Sequence, residues 1–221
     1  MPAKTDSREY RKIDVADLVL RKAADTNEMV VEGYATTFNQ PYRLWEDKDI
    51  TVNEQVDRNA FDETDMSDVI MQYDHEGRVF ARLSNGTLQL EADDHGLKIT
   101  ANLGGTTLGR QLFEEIDGGY TTKMSFGFTV TADERKESRD GDHITILRTI
   151  TKIGKLYDVS AVSLPANDAT EISSRNISDG LIAEVREEIR AEEERRAEEE
   201  RRSAVLEKLN NFIKEVKRDE V

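Results

Sequence analysis

The chain contains 221 residues, of which 37% are hydrophobic and 35% are charged, and its formal net charge at pH 7 is −15. It contains no cysteine, which excludes disulfides, thiolate nucleophiles and thiolate zinc sites and makes an intracellular setting the expected one. The acidic surplus argues against nucleic-acid binding, and no apolar run approaches the roughly 18–20 residues that span a bilayer, so neither nucleic acid nor a membrane is an expected partner.

The first part of the chain is predicted to be a flexible N-terminus followed by a β-rich domain. Residues 1–12 are mostly polar, whereas residues 13–175 carry many of the alternating patterns that are typical of β-strands. Residues 29–35 have the composition of a strand, and residues 69–73 form a second such run that leads directly into His75. The length of the β-rich region fits a single domain.

A β-hairpin is predicted in the middle of this domain. Residues 87–92 and 97–103 both alternate between apolar and polar side chains, which is the two-residue period of a half-buried strand. Between them, the sequence Asp93-Asp94-His95-Gly96 supplies turn-forming residues.

One helix is predicted after the hairpin. Thr106 or Thr107 can cap its N-terminus, and Gly118 followed by Gly119 can end it. The apolar residues between these ends recur at helical spacing, namely Leu108, Leu112, Phe113 and Ile116.

The remainder of the domain is predicted to be strands around one loop. Residues 120–131 have the pattern of a long strand, and residues 132–143 have no apolar periodicity and are expected to form an exposed loop. Residues 144–153 and 156–164 return to strand character before Pro165. Many short strands with few helices predict a mainly β (α+β) fold, built as a closed or nearly closed antiparallel β-barrel.

Residues 176–221 differ from the domain and are predicted to form a long charged helical tail. From 181 to 221 there are 13 acidic and 10 basic residues, which leaves a net charge of −12 for residues 1–180. Two short apolar stripes flank a block of Glu and Arg at 190–202. The block suits a solvated helix supported by opposite-charge pairs worth about 0.2–0.5 kcal/mol each. The apolar stripes suit instead a coiled-coil or docking helix that contacts a partner.

One serine lies within a run that otherwise has the composition of a buried strand. Residues 124–128 read Met-Ser-Phe-Gly-Phe, so Gly127 leaves space on the strand face that Ser125 occupies. Lys123 shares this face, so a serine–lysine dyad is one interpretation, and an inert strand hydroxyl is another.

The chain has three histidines, and one of them is a catalytic candidate. His95 lies in the predicted hairpin turn and His143 at the edge of the predicted loop, so both are expected at the surface. His75 ends an apolar strand and has a carboxylate on either side, while Asp158 lies in a later strand. With Ser125, these residue types are those that a serine hydrolase needs. No spacing matches a metal site or a phosphate-binding loop, so no metal or cofactor is predicted.

Five sequence blocks in order are similar to those of one protein family. They are residues 31–38 (VEGYATTF), 71–75 (MQYDH), 94–99 (DHGLKI), 118–128 (GGYTTKMSFGF) and 156–167 (LYDVSAVSLPAN). Together they span most of residues 28–170, and they resemble the prohead serine proteases of tailed bacteriophages, capsid-maturation enzymes distantly related to herpesvirus assemblin.

This resemblance implies a fold, a set of site residues and a role. The fold would be a barrel of the herpesvirus-protease type, with Ser125 as the nucleophile, His75 as the general base and Asp158 as the residue that orients the histidine. The family often has Glu at this third position, and herpesvirus relatives use a second histidine.

The same resemblance implies substrates and a location. The substrates would be the scaffolding protein and the N-terminal segment of the major capsid protein, which are cut inside the assembling procapsid in the host cytoplasm. Because assemblin relatives work as dimers, a homo-oligomer is one expected state. Residues 176–221 are hypothesised to dock the enzyme into the shell.

Two other functions compete with this interpretation. The first is a capsid assembly or scaffolding protein that uses a protease-like fold without cleaving, which the acidic domain and charged tail would suit. The second is a serine hydrolase that acts on small esters.

Overall fold

A computed structural model describes residues 8–13, 19–22, 29–141 and 143–163, and beyond these the stretches 182–184, 186–188, 190–191, 194–195, 197–203 and 205–206. The chain divides into two compact units, 1–178 and 179–221. The described part of the first unit is mostly β-structure.

Eleven strands, one α-helix and a short 3₁₀ turn at Leu83–Asn85 make up the described part of this unit. The strands are β1 (Glu9–Ile13), β2 (Val19–Lys22), β3 (Met29–Thr37), β4 (Tyr42–Glu46), β5 (Ile50–Val56), β6 (Ile70–Tyr73), β7 (Glu76–Arg82), β8 (Leu88–Ala92), β9 (Gly96–Asn102), β10 (Lys123–Asp140) and β11 (His143–Val162), and the helix is α1 (Thr107–Asp117).

The larger sheet has seven strands and is organised around β11. β10 pairs antiparallel with β11 along its whole length, and β1 pairs antiparallel with the first part of β10. On the other edge of β11, β5 and β6 pair with it in parallel, one after the other, and β4 and β7 extend from them. The second sheet has four strands in the order β2-β3-β9-β8 and is antiparallel.

The prediction of a closed or nearly closed antiparallel barrel is wrong. The strands form two sheets, neither of which closes, and the larger sheet is mixed because β5 and β6 run parallel to β11. The alternation of apolar and polar residues indicates which face of a strand is buried, but it does not encode which strand lies beside it or in which direction.

The predicted loop at 132–143 is also wrong. Most of it continues β10 to Asp140, where a turn leads into β11, so the two strands form one long hairpin. Residues 134–140 are exposed, so this part of β10 can be polar on both faces and carries no alternation. Its strand conformation follows from backbone pairing with β11 rather than from burial.

The predicted hairpin and helix are confirmed. β8 and β9 pair antiparallel around a turn in which the Asp93 carboxylate accepts the N–H groups of His95 (2.7 Å) and Gly96 (2.9 Å). The side chain of Thr106 accepts the N–H of Gly109 at 2.9 Å and caps α1. The core beneath them draws buried side chains from both sheets and from α1, including Val31, Leu88, Ile99, Leu112, Phe113, Met124, Phe126, Ile150 and Val159.

The predicted long C-terminal helix is not evident in the described residues. The described stretches of the second unit are short and helical, and the longest of them is 197–203. The described residues of the Glu and Arg block are exposed, and opposite-charge pairs on a solvated segment add little free energy each. No helix in the described ranges is both long and apolar enough to cross a membrane.

A buried ionic cluster joins β1 to β5 and β11. Arg11 donates to Glu9 (2.6 Å) and to Glu54 (3.0 Å), and Arg148 donates to Glu54 at 2.7 Å. The Tyr42 hydroxyl donates to the second oxygen of Glu54 at 2.6 Å. Burial raises the pKa of Glu54, but the two guanidinium groups outweigh this and hold it at about 2. Separating β1 from the sheet would leave buried charges without partners, so the cluster fixes β1 in place.

Replacing Glu54 by Gln should lower the free energy of unfolding at pH 7 by about 3–5 kcal/mol, because two buried guanidinium groups lose their shared carboxylate. It should also flatten the acid dependence of stability. A carboxylate whose pKa is lowered by folding stabilises the protein above its ordinary pKa, and that contribution is lost as the pH falls towards about 2. Urea unfolding at pH 7 and at a series of acidic pH values measures both effects.

The matched control is Glu63→Gln, which removes the exposed ion pair with Lys152. Its free energy of unfolding should change by less than about 1 kcal/mol. If the Glu54 and Glu63 variants have equal stability and equal acid dependence, the role assigned to the cluster is wrong.

Candidate active site

The site is built on four residues that face one another across β10 and β11. Ser125 lies opposite Ser160, and Gly127 lies opposite Asp158, in the antiparallel register. Because alternate residues share a strand face, all four lie on the face opposite Phe126, whose side chain enters the core. The strand pairing therefore places a serine hydroxyl and a carboxylate on the same face of adjacent strands, with one residue pair between them.

Gly127 is required because the Asp158 carboxylate occupies the space above it. A Cβ atom at position 127 would lie 2.4 Å from Oδ2 of Asp158, far inside van der Waals contact. The sequence predicts that Gly127 makes room beside the Ser125 hydroxyl. The structure shows that the carboxylate takes this room.

His75 is positioned by a tight turn between β6 and β7. Tyr73 pairs with Glu76, so Asp74 and His75 alone form the loop, and their φ angles are +48° and +61°. Two consecutive positive φ angles are typical of a type I′ hairpin turn, which favours Asn, Asp and Gly. Two consecutive non-glycine residues with positive φ are uncommon, and such backbone strain concentrates at functional sites.

Asp74 anchors this turn to the end of β11. Its N–H donates to the carbonyl of Ala161 at 2.9 Å, and its carboxylate accepts the N–H (3.0 Å) and hydroxyl (2.8 Å) of Ser163. The carboxylate of Asp74, next to His75 in the sequence, therefore binds Ser163, whereas the ring of His75 is bound by the carboxylate of Asp158.

Hydrogen bonds join the three predicted residues into one chain. His75 Nδ1 lies 2.6 Å from Oδ1 of Asp158, and Nε2 lies 2.5 Å from Oγ of Ser125. An ionised carboxylate only accepts, so Nδ1–H donates to Asp158 and, in the neutral ring, Nε2 accepts the hydroxyl proton of Ser125. Ser125 and Asp158 are fully buried, and the side chain of His75 is 10% exposed.

Asp158 accepts two further hydrogen bonds. The Ser160 hydroxyl donates to Oδ1 at 2.7 Å, and Arg8 Nη2 donates to Oδ2. Burial raises the pKa of the Asp158 carboxyl, but the hydrogen bonds and charges of His75, Ser160 and Arg8 together lower it below its ordinary value. Asp158 is therefore ionised at neutral pH and can stabilise a positive charge on the imidazole ring.

Sequence patterns did not identify Arg8, Tyr10 or Ser160. The sequence predicts a flexible N-terminus at residues 1–12, but residues 9–12 belong to β1. Within this strand, Tyr10 pairs with Gly127. The rings of Tyr10 and His75 lie 4.4 Å apart. A five-residue strand has too few positions to show a period, so the only available signal was Ser160 two residues after Asp158, on the same strand face.

The other two histidines lie elsewhere. His95 is exposed in the turn between β8 and β9, with its ring edge-on to Tyr34. His143 begins β11, at the opposite end of that strand from Asp158, and its Nε2 lies 2.9 Å from the hydroxyl of Thr51. The structure brings neither of them to the site.

Replacing Gly127 by Ala should displace the Asp158 carboxylate while leaving the fold intact, because each atom within 3.0 Å of the new methyl belongs to a side chain. We expect Ser125 to react about 100-fold more slowly with a fluorophosphonate, since a shift of about 1 Å in a reacting group can have this effect. Circular dichroism checks the fold. Gly105→Ala is the matched control, because nothing lies within 4 Å of its Cβ position, and equal reaction rates in the two variants would contradict the prediction.

Comparison with known proteins identifies one family. A family model described as caudovirus prohead serine protease matches residues 16–182. No curated protein and no solved structure matches the chain. The resemblance inferred from the sequence blocks is confirmed, and because the match covers more than half of its length, the chain belongs to the caudovirus prohead serine protease family.

Proposed function

We propose that this chain is a serine endopeptidase in which Ser125 is the nucleophile, His75 the general base and Asp158 the residue that orients the histidine. The observation that carries the proposal is the continuous hydrogen-bonded chain from Ser125 through His75 to Asp158, in a member of a serine protease family. The three side chains come from three separate strands or turns, so local sequence proximity does not explain their meeting.

The reaction would be acyl transfer through the Ser125 hydroxyl. Oγ attacks the carbonyl carbon of a peptide bond while its proton moves to Nε2 of His75, and the ionised carboxylate of Asp158 stabilises the resulting imidazolium. His75 then gives this proton to the leaving amine. A water molecule attacks the acyl-enzyme, His75 accepts one of its protons, and Oγ leaves with that proton as the acid product forms.

The geometry supports His75 rather than Lys123 as the base. Lys123 lies two residues before Ser125 on β10, on the same strand face. Oγ of Ser125 nevertheless lies 2.5 Å from Nε2 of His75, and Nδ1 on the other side of that ring lies 2.6 Å from the carboxylate of Asp158.

The substrates that we propose follow from the family rather than from the site. A prohead protease acts in the assembling shell, so the scaffolding protein and the N-terminal segment of the major capsid protein are the substrates expected inside the procapsid. The match at 16–182 supports a protease domain at about 13–175. β1 begins at Glu9, so residues before 13 also contribute to the site. We also propose that the chain forms a homo-oligomer.

One observation favours the competing function, an assembly protein that does not cleave. Ser125 is completely inaccessible in this structure, so a substrate carbonyl reaches Oγ only if neighbouring groups move. A non-catalytic scaffold would need no such movement. Enzymes commonly close and open their sites on the microsecond to millisecond timescale, so burial in one state is compatible with catalysis.

The two functions are separated by incubating the purified wild type and Ser125→Ala with the capsid and scaffolding proteins under assembly conditions. The wild type should cleave both substrates, and Ser125→Ala should be at least about 1,000-fold slower. Ser138→Ala, an exposed serine on the same strand, is the control and should retain the wild-type rate. Gel electrophoresis and mass spectrometry of the fragments measure the cleavage.

Each other outcome identifies a different error. If the wild type leaves both proteins intact, the protease proposal fails and the assembly function is favoured. If Ser125→Ala cleaves as fast as the wild type, the nucleophile is wrong. If the wild type reacts with a fluorophosphonate at Ser125 and hydrolyses small esters but no peptide, the ester hydrolase is the better description.

A further inference from the structure

Arg8 holds the outer oxygen of the Asp158 carboxylate. It lies immediately before β1, and its Nη2 donates to Oδ2 of Asp158 across 150 residues of sequence. The inner oxygen, Oδ1, already accepts from His75 and Ser160. Both oxygens of the carboxylate are therefore bound, and these contacts oppose its rotation away from the imidazole ring.

The Arg8 guanidinium is itself held between two aromatic rings. Its Cζ lies 4.5 Å from the centre of the Tyr157 ring and 5.1 Å from that of Tyr10. A cation stacked on aromatic faces is stabilised electrostatically, and the planar guanidinium suits this position better than an ammonium group. The same Tyr10 ring lies against His75, so one ring contacts both the arginine and the proposed base.

Gly127 also provides the space that Arg8 needs. A Cβ atom at position 127 would lie 3.0 Å from Nε of Arg8 and 2.9 Å from Cε1 of Tyr10. The Arg8 side chain, the Tyr10 ring and the Asp158 carboxylate thus converge above this glycine. The Nε atom is buried and has no hydrogen-bond partner within the protein, so this placement of the guanidinium has an energetic cost that the Asp158 contact must offset.

Arg8 is not the residue that holds β1 in the sheet. The strand is fixed by backbone pairing with β10 and by the buried contacts of Arg11 with Glu9 and Glu54. The Arg8 side chain is 34% exposed, whereas the side chain of Asp158 is fully buried, so water screens this ion pair only in part. The contact is made to the residue that orients the proposed base and lies outside the cluster that fastens β1, which points to a role in the site.

We propose that Arg8 is a positioning residue of the active site, which fixes the Asp158 carboxylate so that His75 keeps the ring orientation and tautomer required to accept the Ser125 proton. This inference rests on the proposed protease function. It makes the segment that begins β1 part of the catalytic apparatus, although no atom of Arg8 lies in contact with Ser125 or His75 among the described contacts.

The charge of Arg8 has a second, separable effect. The cation opposes protonation of the Asp158 carboxylate, because it lies beside the ionised form and helps to lower the pKa of that carboxyl. The other side chains that the described contacts place around the pair are Tyr10 from β1, Tyr157 and Ser160 from β11, and Ser125 from β10. The carboxylate of Asp74, next to His75, binds Ser163 instead. Among these described contacts, Arg8 supplies the fixed positive charge beside Asp158.

Arg8→Ala tests the proposal in the full-length protein. We expect kcat for a cleaved capsid-derived peptide to fall by about 10- to 100-fold, with the acid limb of the kcat/KM–pH profile moved to higher pH. Because the side chain is partly open to solvent, millimolar methylguanidinium should restore part of the activity, whereas sodium chloride at equal ionic strength should not. Arg8→Lys should keep the wild-type acid limb but recover kcat only in part, since it retains the charge without the planar fork.

A readout independent of activity separates this inference from the protease proposal. The Nδ1–H proton of His75 should give a strongly downfield NMR signal in the wild type, and this signal should shift or broaden in Arg8→Ala. Arg43→Ala, which removes an exposed ion pair with Glu46, is the control and should change none of these quantities. Urea unfolding checks that the Arg8 variants remain folded.

Two results would overturn the proposal. The first is an Arg8→Ala variant with wild-type kcat, pH profile and NMR signal. The second is a loss of activity that accompanies a loss of stability, with no rescue by methylguanidinium and no change in the acid limb, which would make Arg8 purely structural. If the wild type itself cleaves nothing but the NMR signal still depends on Arg8, the protease function fails while the positioning contact stands.

Discussion

The antiparallel pairing of β10 with β11 is the constraint on which the site depends. It brings Gly127 opposite Asp158 and Ser125 opposite Ser160, and it gives β5, β6 and β1 the edges on which they pair. Because side chains alternate between faces, a slip of one residue in this register would turn Asp158 towards the core and carry Ser125 away from the histidine. The large aromatic side chains of Phe126 and Phe128, buried on the opposite face, oppose such a slip because it would expose them.

β1 is short, yet one of its faces contributes to the buried ionic cluster and the other to the site. Its alternation directs Glu9 and Arg11 into a buried ionic cluster and Tyr10 towards His75. The two faces use charge differently. On one face, the guanidinium groups of Arg11 and Arg148 bind the carboxylates of Glu9, Glu54 and Asp133 and fasten the strand. On the other face, the single contact between Arg8 and Asp158 leaves the carboxylate ionised next to a histidine.

Sequence patterns predict those elements whose contacts join residues close together in the chain. The hairpin of β8 and β9 and the Thr106-capped helix follow from turn residues and periodicity within about a dozen positions. The parallel pairing of β5 and β6 with β11 could not be predicted in this way, since alternation carries no information about the neighbouring strand. The polar arm of β10 was mistaken for a loop because an edge strand that is solvated on both faces lacks a period. The order of the sequence motifs predicts the site residues Ser125, His75 and Asp158. By contrast, no pattern near Arg8 indicates a partner 150 residues away.

In the turn that presents His75, the residue that the proposed chemistry needs differs from the residues that the backbone conformation favours. Asp74 and His75 both occupy the left-handed region, where glycine or asparagine would be accommodated at a lower conformational cost. The imidazole therefore stands where the backbone favours a smaller residue, and Asp74 compensates through its contacts with Ala161 and Ser163. The chain retains a hairpin that is less stable than its own topology permits. Selection for stability alone would therefore favour glycine or asparagine over histidine at this position.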